Sequence, residues 1–172
     1  EEGIFEDRMP EAVFGMHVGI GVPGGHIAVK PGPLMAASDS FKITVKGRQT
    51  HGAMPWNGVD PIVVASRIVM AVQTIVSRQV DVTLAPSIVS FGRISGGIRY
   101  NVIPDAVEME GTIRTFDQKE RAMIMRRIQE IAELQASSYN CRAEVTLTRG
   151  YPATVNNPDK TDFAAEVDKE IA

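Results

Sequence analysis

Phe41-Lys42-Ile43-Thr44-Val45-Lys46 runs into Gly47-Arg48-Gln49-Thr50-His51-Gly52-Ala53-Met54-Pro55-Trp56-Asn57-Gly58-Val59, and Asp60-Pro61 then opens a long apolar run. The first six residues alternate apolar and polar, the period of a half-buried strand. Asp60 reads as a helix N-cap with proline at the first helical position. Ile62, Ala65, Ile68, Val69, Val72, Ile75 and Val76 then fall at helical spacing, so the helix is expected to reach about Ser77. Between strand and helix lies a Gly-rich turn that exposes His51.

The pattern continues outward on the C-terminal side. Ser87 to Ile94 reads as a strand, and Ser95-Gly96-Gly97 opens a loop holding Tyr100, Asn101 and Pro104. From Ala106 to Thr115, Val107, Met109 and Ile113 alternate with Glu108, Glu110, Thr112 and Arg114. Asp117 with Glu120 makes a capping-box-like start for a helix to about Ser137, carrying Ile124, Ile128, Ile131 and Leu134. Arg142 to Thr148 is a further strand, with Val145 and Leu147 inward. From about 38 to 149 the order is β-α-β-β-α-β, the ferredoxin-like split unit. This α+β class predicts a four-stranded antiparallel sheet with both helices on one face.

On the N-terminal side the reading is more fragmentary. Glu1-Glu2-Gly3-Ile4-Phe5 looks like the end of a helix. Ala12 to Val18 reads as a short buried strand with His17 near its end, and Ile27 to Lys30 as another, broken by Pro31-Gly32-Pro33. After Thr148, Gly150, Pro152 and Asn156-Asn157-Pro158 form a loop, and a helix begins at Phe163. Residues 1–36 and 150–172 therefore look like two ends of a host α/β domain, into which a satellite domain, residues 37–149, is inserted. The chain is expected to be a piece of a larger protein.

Composition bounds the partners. A chain of 172 residues, 44% hydrophobic and 23% charged, is a globular protein and not a disordered one. Its formal net charge of -3 and scattered Lys and Arg offer no basic stripe for nucleic acid. Phe41 and Phe91 lie in strands, but no RNA-binding Gly-Phe pattern accompanies them. The apolar run after Pro61 falls short of the roughly 20 residues that span a bilayer, so no membrane partner is expected. A single cysteine, Cys141, allows no intrachain disulfide and fits a reducing cytoplasm.

The chemistry-bearing residues are few. Gly19-x-Gly21-x-x-Gly24 matches the dinucleotide fingerprint only as a pattern, because Pro23 interrupts it and no helix follows. His17, His26 and His51 show no helical metal-ligand spacing. By local pattern His17 reads as a structural or surface residue, and His26 has nothing in its favour. His51 stays open between a structural role and a functional one. Arg114 offers a planar fork for a carboxylate and Asn101 an amide near it, against a plain surface ion pair of Arg114 with Glu110. Glu108 and Glu110 fit a solvated sheet face better than acid/base work. Cys141 has no base beside it in sequence. The expectation is that His51, Asn101 and Arg114 form a polar cluster serving an active site whose metal is mostly bound elsewhere.

Six stretches in order carry a family resemblance: Phe14-Gly15-Met16-His17-Val18, Pro31 to Ala37, His51-Gly52-Ala53-Met54-Pro55 with Gly58-Val59-Asp60-Pro61, Ala71 to Arg78, Asn101-Val102-Ile103-Pro104-Asp105, and Gly111-Thr112-Ile113-Arg114-Thr115-Phe116. Together they resemble the amidohydrolase branch of the co-catalytic metal aminoacylase and carboxypeptidase family. That branch includes hippurate hydrolases and hydrolases of indole-acetyl-amino-acid conjugates. The resemblance implies an α/β catalytic domain with divalent metal ions (zinc, manganese, cobalt or nickel) and an inserted ferredoxin-like domain that mediates homodimerisation. It implies a small N-acyl amino acid substrate whose amide bond is cleaved by metal-activated water. His17 matches a metal-binding His. His51 matches a satellite-domain His that stabilises the developing oxyanion, often in the dimer partner's site. Asn101 and Arg114 match residues that bind the carboxylate or amide end of the substrate. The family's remaining metal ligands and its catalytic Glu have no match here, so the chain by itself is expected to be inactive and metal-free. The rival reading is a free-standing ferredoxin-like module that dimerises or binds a small ligand without catalysis. The expected dimer contact is the edge strand Ser87 to Ile94 with the helix Pro61 to Ser77.

Overall fold

A computed structural model describes residues 9–171. In chain order the elements are β1 (Gly32–Met35), β2 (Ala37–Lys46), β3 (Thr50–His51), a 3-10 turn (Pro55–Asn57), α1 (Pro61–Gln79), β4 (Ser87–Gly96), β5 (Val102–Ile103), β6 (Ala106–Thr115), α2 (Gln118–Ser137), β7 (Arg142–Thr148), β8 (Thr154–Asn156) and α3 (Pro158–Ile171). They fall into two compact units, one of Met35–Thr154 and one of Glu1–Leu34 with Val155–Ala172.

The unit of residues 35–154 is the expected split βαβ fold. Its sheet has the order β4-β6-β2-β7, with antiparallel pairing throughout. The register puts Val45 opposite Val107, Ile43 opposite Met109 and Asp39 opposite Ile113. The apolar residues among these, with Phe41 and Val89, form one wall of the core. Phe41 meets Phe91 edge-on, with ring centroids 5.0 Å apart, a favoured aromatic geometry. Val64, Ala65, Ile68, Val72 and Ile75 of α1 and Ile124, Met125, Ile128, Ala132 and Ala136 of α2 form the other wall. Both helices therefore lie on one face of the sheet, and each fully covered Ile contributes about 1.5–3 kcal/mol of apolar burial.

The helix starts follow the sequence. Asp60 accepts hydrogen bonds from the Ile62 and Val63 N–H groups, and Asp117 from those of Lys119 and Glu120. At 19 residues and mean hydropathy 1.3, α1 is long and apolar enough to cross a bilayer by length and composition alone. Its inner stripe is instead packed into the core described above.

The flanking unit corrects four expectations. Ala12 to Val18 is neither a strand nor buried: Met16 is 92% exposed and Val18 93%. Ile27 to Lys30 is not a strand either. A strand needs a neighbour for its N–H and C=O groups, and among the described residues the only pairing outside the main unit's sheets is β1 with β8. That pairing takes in Gly32 and Pro33, part of the stretch expected to break a strand. Pro33 is tolerated because a two-stranded ribbon is all edge. The last helix begins at Pro158, not Phe163. Asn157 Oδ1 accepts from the Lys160 N–H at 3.1 Å and Pro158 fills the first turn. The helix end expected at residues 1–5 lies outside the described residues.

Candidate functional site

The turn around His51 is held by paired backbone bonds at each level. Arg48 and Val59 exchange N–H···O bonds of 2.9 Å each, and the Gly47 N–H donates to the Asp105 carbonyl at 2.7 Å. Thr50 and His51 then pair with Ile103 and Val102. The Gly52 N–H donates to the Asn101 carbonyl at 2.8 Å. A Cβ on residue 52 would stand 3.0 Å from that oxygen, so glycine lets the two loops close on each other. The result brings His51 and Asn101 together at one end of the sheet, both exposed.

The His51 ring is oriented by its own loop. The Ala53 N–H donates to His51 Nδ1 at 3.0 Å. Nδ1 is therefore the acceptor, and a neutral ring carries its proton on Nε2. His51 thus presents an N–H donor to the outside from a ring fixed in place.

Arg114 is not part of this cluster within one chain. It lies on β6, in register with Ser38 and Ile88. From Ala106, beside the His51 end, to Arg114 is about 26 Å at 3.3 Å per strand residue. Arg114 is half-buried on the sheet face away from the helices. Its Nη1 bonds the Thr112 hydroxyl and the carbonyls of Ile113 (3.0 Å) and Asp39 (3.4 Å). Glu110 pairs with Arg93 at 3.1 Å rather than with Arg114, and Glu108 pairs with Lys42 at 2.9 Å. Both carboxylates belong to a solvated, ion-laced face.

The other expected site residues stand apart. His17 is exposed in a loop, with Nδ1 donating to the Val18 carbonyl at 2.8 Å, and His26 Nδ1 contacts the Gly24 carbonyl at 3.2 Å. Among the described residues no three His, Cys, Asp or Glu side chains converge as a metal site. A catalytic zinc takes three protein ligands, so these residues do not form a complete metal centre. Cys141 is buried, and burial together with Asp60 pushes its thiol pKa up, away from a reactive thiolate.

One polar group was not singled out from the sequence. Asp39 and Arg121 form a buried bidentate pair, with side-chain exposures of 0% and 7%. Arg121 donates through Nε to Oδ2 at 2.7 Å and through Nη2 to Oδ1 at 2.5 Å. The Gly150 N–H donates to Asp39 Oδ1 at 2.9 Å, and the Gly150 carbonyl accepts from Arg121 Nη2 at 3.1 Å. Burial pushes the Asp39 carboxyl up, but the Arg121 bonds, the Gly150 N–H and the charges of Arg121 and Arg149 outweigh it and hold its pKa below 3.8. The signal was in the phase: Asp39 falls on the inward side with Phe41, Ile43 and Val45, and Arg121 precedes Ile124 and Met125 on the inward stripe of α2.

Known proteins resemble this chain in sequence and in fold. A family profile described as a peptidase dimerisation domain of the M20 class matches residues 37–140. An N-acetyl-L-cysteine deacetylase from Bacillus subtilis is 42% identical over 147 residues, covering 86% of this chain and 35% of the relative. A hippurate hydrolase from Campylobacter jejuni is 36% identical over 174 residues, covering 99% of this chain and 44% of the relative. The crystal structure of a dinuclear metal-binding peptidase of the M20 family, also from Bacillus subtilis, superposes with TM-score 0.69 at 34% identity, covering 92% of this chain and 38% of that one. The chain thus spans less than half the length of the relatives it matches.

Proposed function

This chain belongs to the M20 peptidase family and carries its dimerisation domain, and from that premise we propose that it serves a hydrolase cleaving the amide bond of small N-acyl amino acids. The observation that carries the reading is the His51 ring: Nδ1 is occupied by the Ala53 N–H, which leaves Nε2–H of an exposed ring free to donate. A fixed N–H donor is what the oxyanion of a tetrahedral intermediate requires. Asn101, whose backbone carbonyl is held by the Gly52 N–H of the His51 loop, supplies an amide for the amide end of the substrate. Arg114 supplies a planar fork for the carboxylate that every N-acyl amino acid carries.

The distance between them supports a shared site. One chain holds Arg114 about 26 Å of strand away from the His51 end, farther than a small N-acyl amino acid reaches. A twofold dimer resolves this: one copy brings His51 and Asn101, and its partner brings Arg114. The edge strand β4 and helix α1 suit the contact, since Ile88, Ile94, Ile62, Val63 and Met70 are all exposed there.

The divalent metals that the family resemblance implies find no complete ligand set among the described residues. In this reading the chain supplies substrate contacts and a hydrogen-bond donor for the oxyanion, and residues 9–34 and 155–171 fit the role of pieces of a catalytic domain. The Nδ1–H of His17, held by a backbone carbonyl, leaves Nε2 as an acceptor suited to one metal position. The isolated chain is expected to show no amidase activity. In the full-length enzyme, His51→Ala should lower kcat by about a hundred- to a thousandfold, the loss typical of one oxyanion donor, with metal content unchanged. Loss of metal on that substitution would mean that His51 is a ligand and the reading is wrong.

A further inference from the structure

The buried pair Asp39–Arg121 lies where the chain comes into and leaves the unit of residues 35–154. The boundaries of that unit are Leu34/Met35 and Thr154/Val155. Gly150, just inside the outgoing boundary, gives its N–H to Asp39 and its carbonyl to Arg121. Its neighbour Tyr151 accepts from the Ser38 N–H at 3.1 Å. Residues 38–39 and 150–151 are thus stitched together by two main-chain groups of Gly150 and one backbone bond. The fit is close, because a Cβ on residue 150 would lie 2.0 Å from the Ser38 carbonyl oxygen. Asp39 is also pinned from its other side. Its backbone carbonyl accepts from the Thr112 hydroxyl at 3.1 Å and from Arg114 at 3.4 Å, two side chains on the sheet face away from the helices.

We propose that Asp39 and Arg121 are positioning residues: they form a latch that closes the neck of this unit, so that incoming residues 38–39 and outgoing residues 150–151 open only together, and they hold the backbone on which the Arg114 guanidinium rests. The chemistry requires both partners. A lone buried carboxylate or guanidinium is unstable, whereas a bidentate pair with a peptide group saturating its remaining sites is satisfied. The fork of Arg121 can bond Asp39 and Gly150 at once; a lysine ammonium lacks that planar reach. A pair serving core stability alone would have no need to engage the outgoing peptide, yet Gly150 uses both its N–H and its C=O on it. The part concerning Arg114 rests on the substrate role proposed above, while the closing of the neck does not.

The test reads backbone exchange, which is independent of any activity. Hydrogen exchange of the 172-residue chain is followed at the Gly150 and Ser38 amides, with Val107 and Met109 in the middle of the sheet as references. In Asp39→Asn both neck amides should lose about tenfold more protection than the references, and by the same factor as each other, the signature of a local cooperative opening. Arg121→Lys, which keeps the charge and removes the fork, should give the same pattern and decides the matter if Asp39→Asn does not fold. Unchanged neck amides, a fall no larger than that of Val107 and Met109, or Gly150 and Ser38 responding separately would overturn the proposal. Failure of both variants to fold would also overturn it, because the pair would then support the whole unit and not its neck. Each result leaves the reading of His51 untouched.

Discussion

The two units of this chain hold similar apolar residues and use them differently. In residues 35–154, Ile43, Ile68, Met109 and Ile113 are fully covered. In the flanking unit, Met16, Val18 and Ile20 are more than nine-tenths exposed. The difference does not come from apolar content, since Ala-Val-Phe-Gly-Met-His-Val is at least as apolar as Phe-Lys-Ile-Thr-Val. It comes from partners. Each strand of the main sheet finds its neighbour and its covering helix inside the same stretch of chain. Among the described residues, Ala12 to Val18 finds no partner strand, and where Phe14 meets Phe163 of α3, with ring centroids 6.3 Å apart, both rings stay exposed. Apolar character marks a stretch that could be covered, and the neighbours decide whether it is.

The largest expected effect lies at the polar edge of the covered unit. Asp39→Ala leaves the Arg121 charge buried without its partner and should cost about 3–5 kcal/mol in urea unfolding. Loss of less than 1 kcal/mol would mean that the pair is wet. The same group sets an acid limb. Its folded pKa lies below the ordinary 3.8, so its stabilisation is complete above that value and is lost as pH falls through the folded value. In Asp39→Asn, stability should fall less steeply on acidification below about pH 4 than in the parent chain. An identical acid limb in both would remove Asp39 from the account.

Next in size is the contrast between the two kinds of apolar residue. Ile43→Ala should cost about 2–5 kcal/mol, the loss of a buried branched side chain plus its cavity. Met16→Ala should stay within about 0.5 kcal/mol, as exposed positions do. Equal effects would erase the distinction drawn between the units.

The legible part of the fold was the part with local periodicity. β2, β6, α1 and α2 announce themselves because a two-residue or 3.6-residue repeat is sustained over several turns or pleats, and Asp60 and Asp117 mark the helix starts. The candidate site was legible only in pieces. The glycines and prolines around His51 reveal an exposed turn. The pairing that brings Asn101 to it runs through β3 and β5, two residues each, too short for any period to show. The separation of Arg114 follows from counting along β6, but only once the end of the sheet holding His51 is known. The latch was legible in principle, since Asp39 and Arg121 both fall in phase with buried residues. A charge in that phase reads as an error in the pattern until its partner is found on another element.

The central claim is that the donors at the His51 end and the fork of Arg114 meet only across two copies of the chain. It is tested most directly by mixing full-length His51→Ala and Arg114→Ala proteins, each nearly inactive alone, after dissociation and reassembly. With random pairing, half the dimers are hybrids and each hybrid has one intact site, so about a quarter of parent turnover should return. Turnover that stays at the level of the separate variants would contradict the account and place all three residues in a site built by one chain.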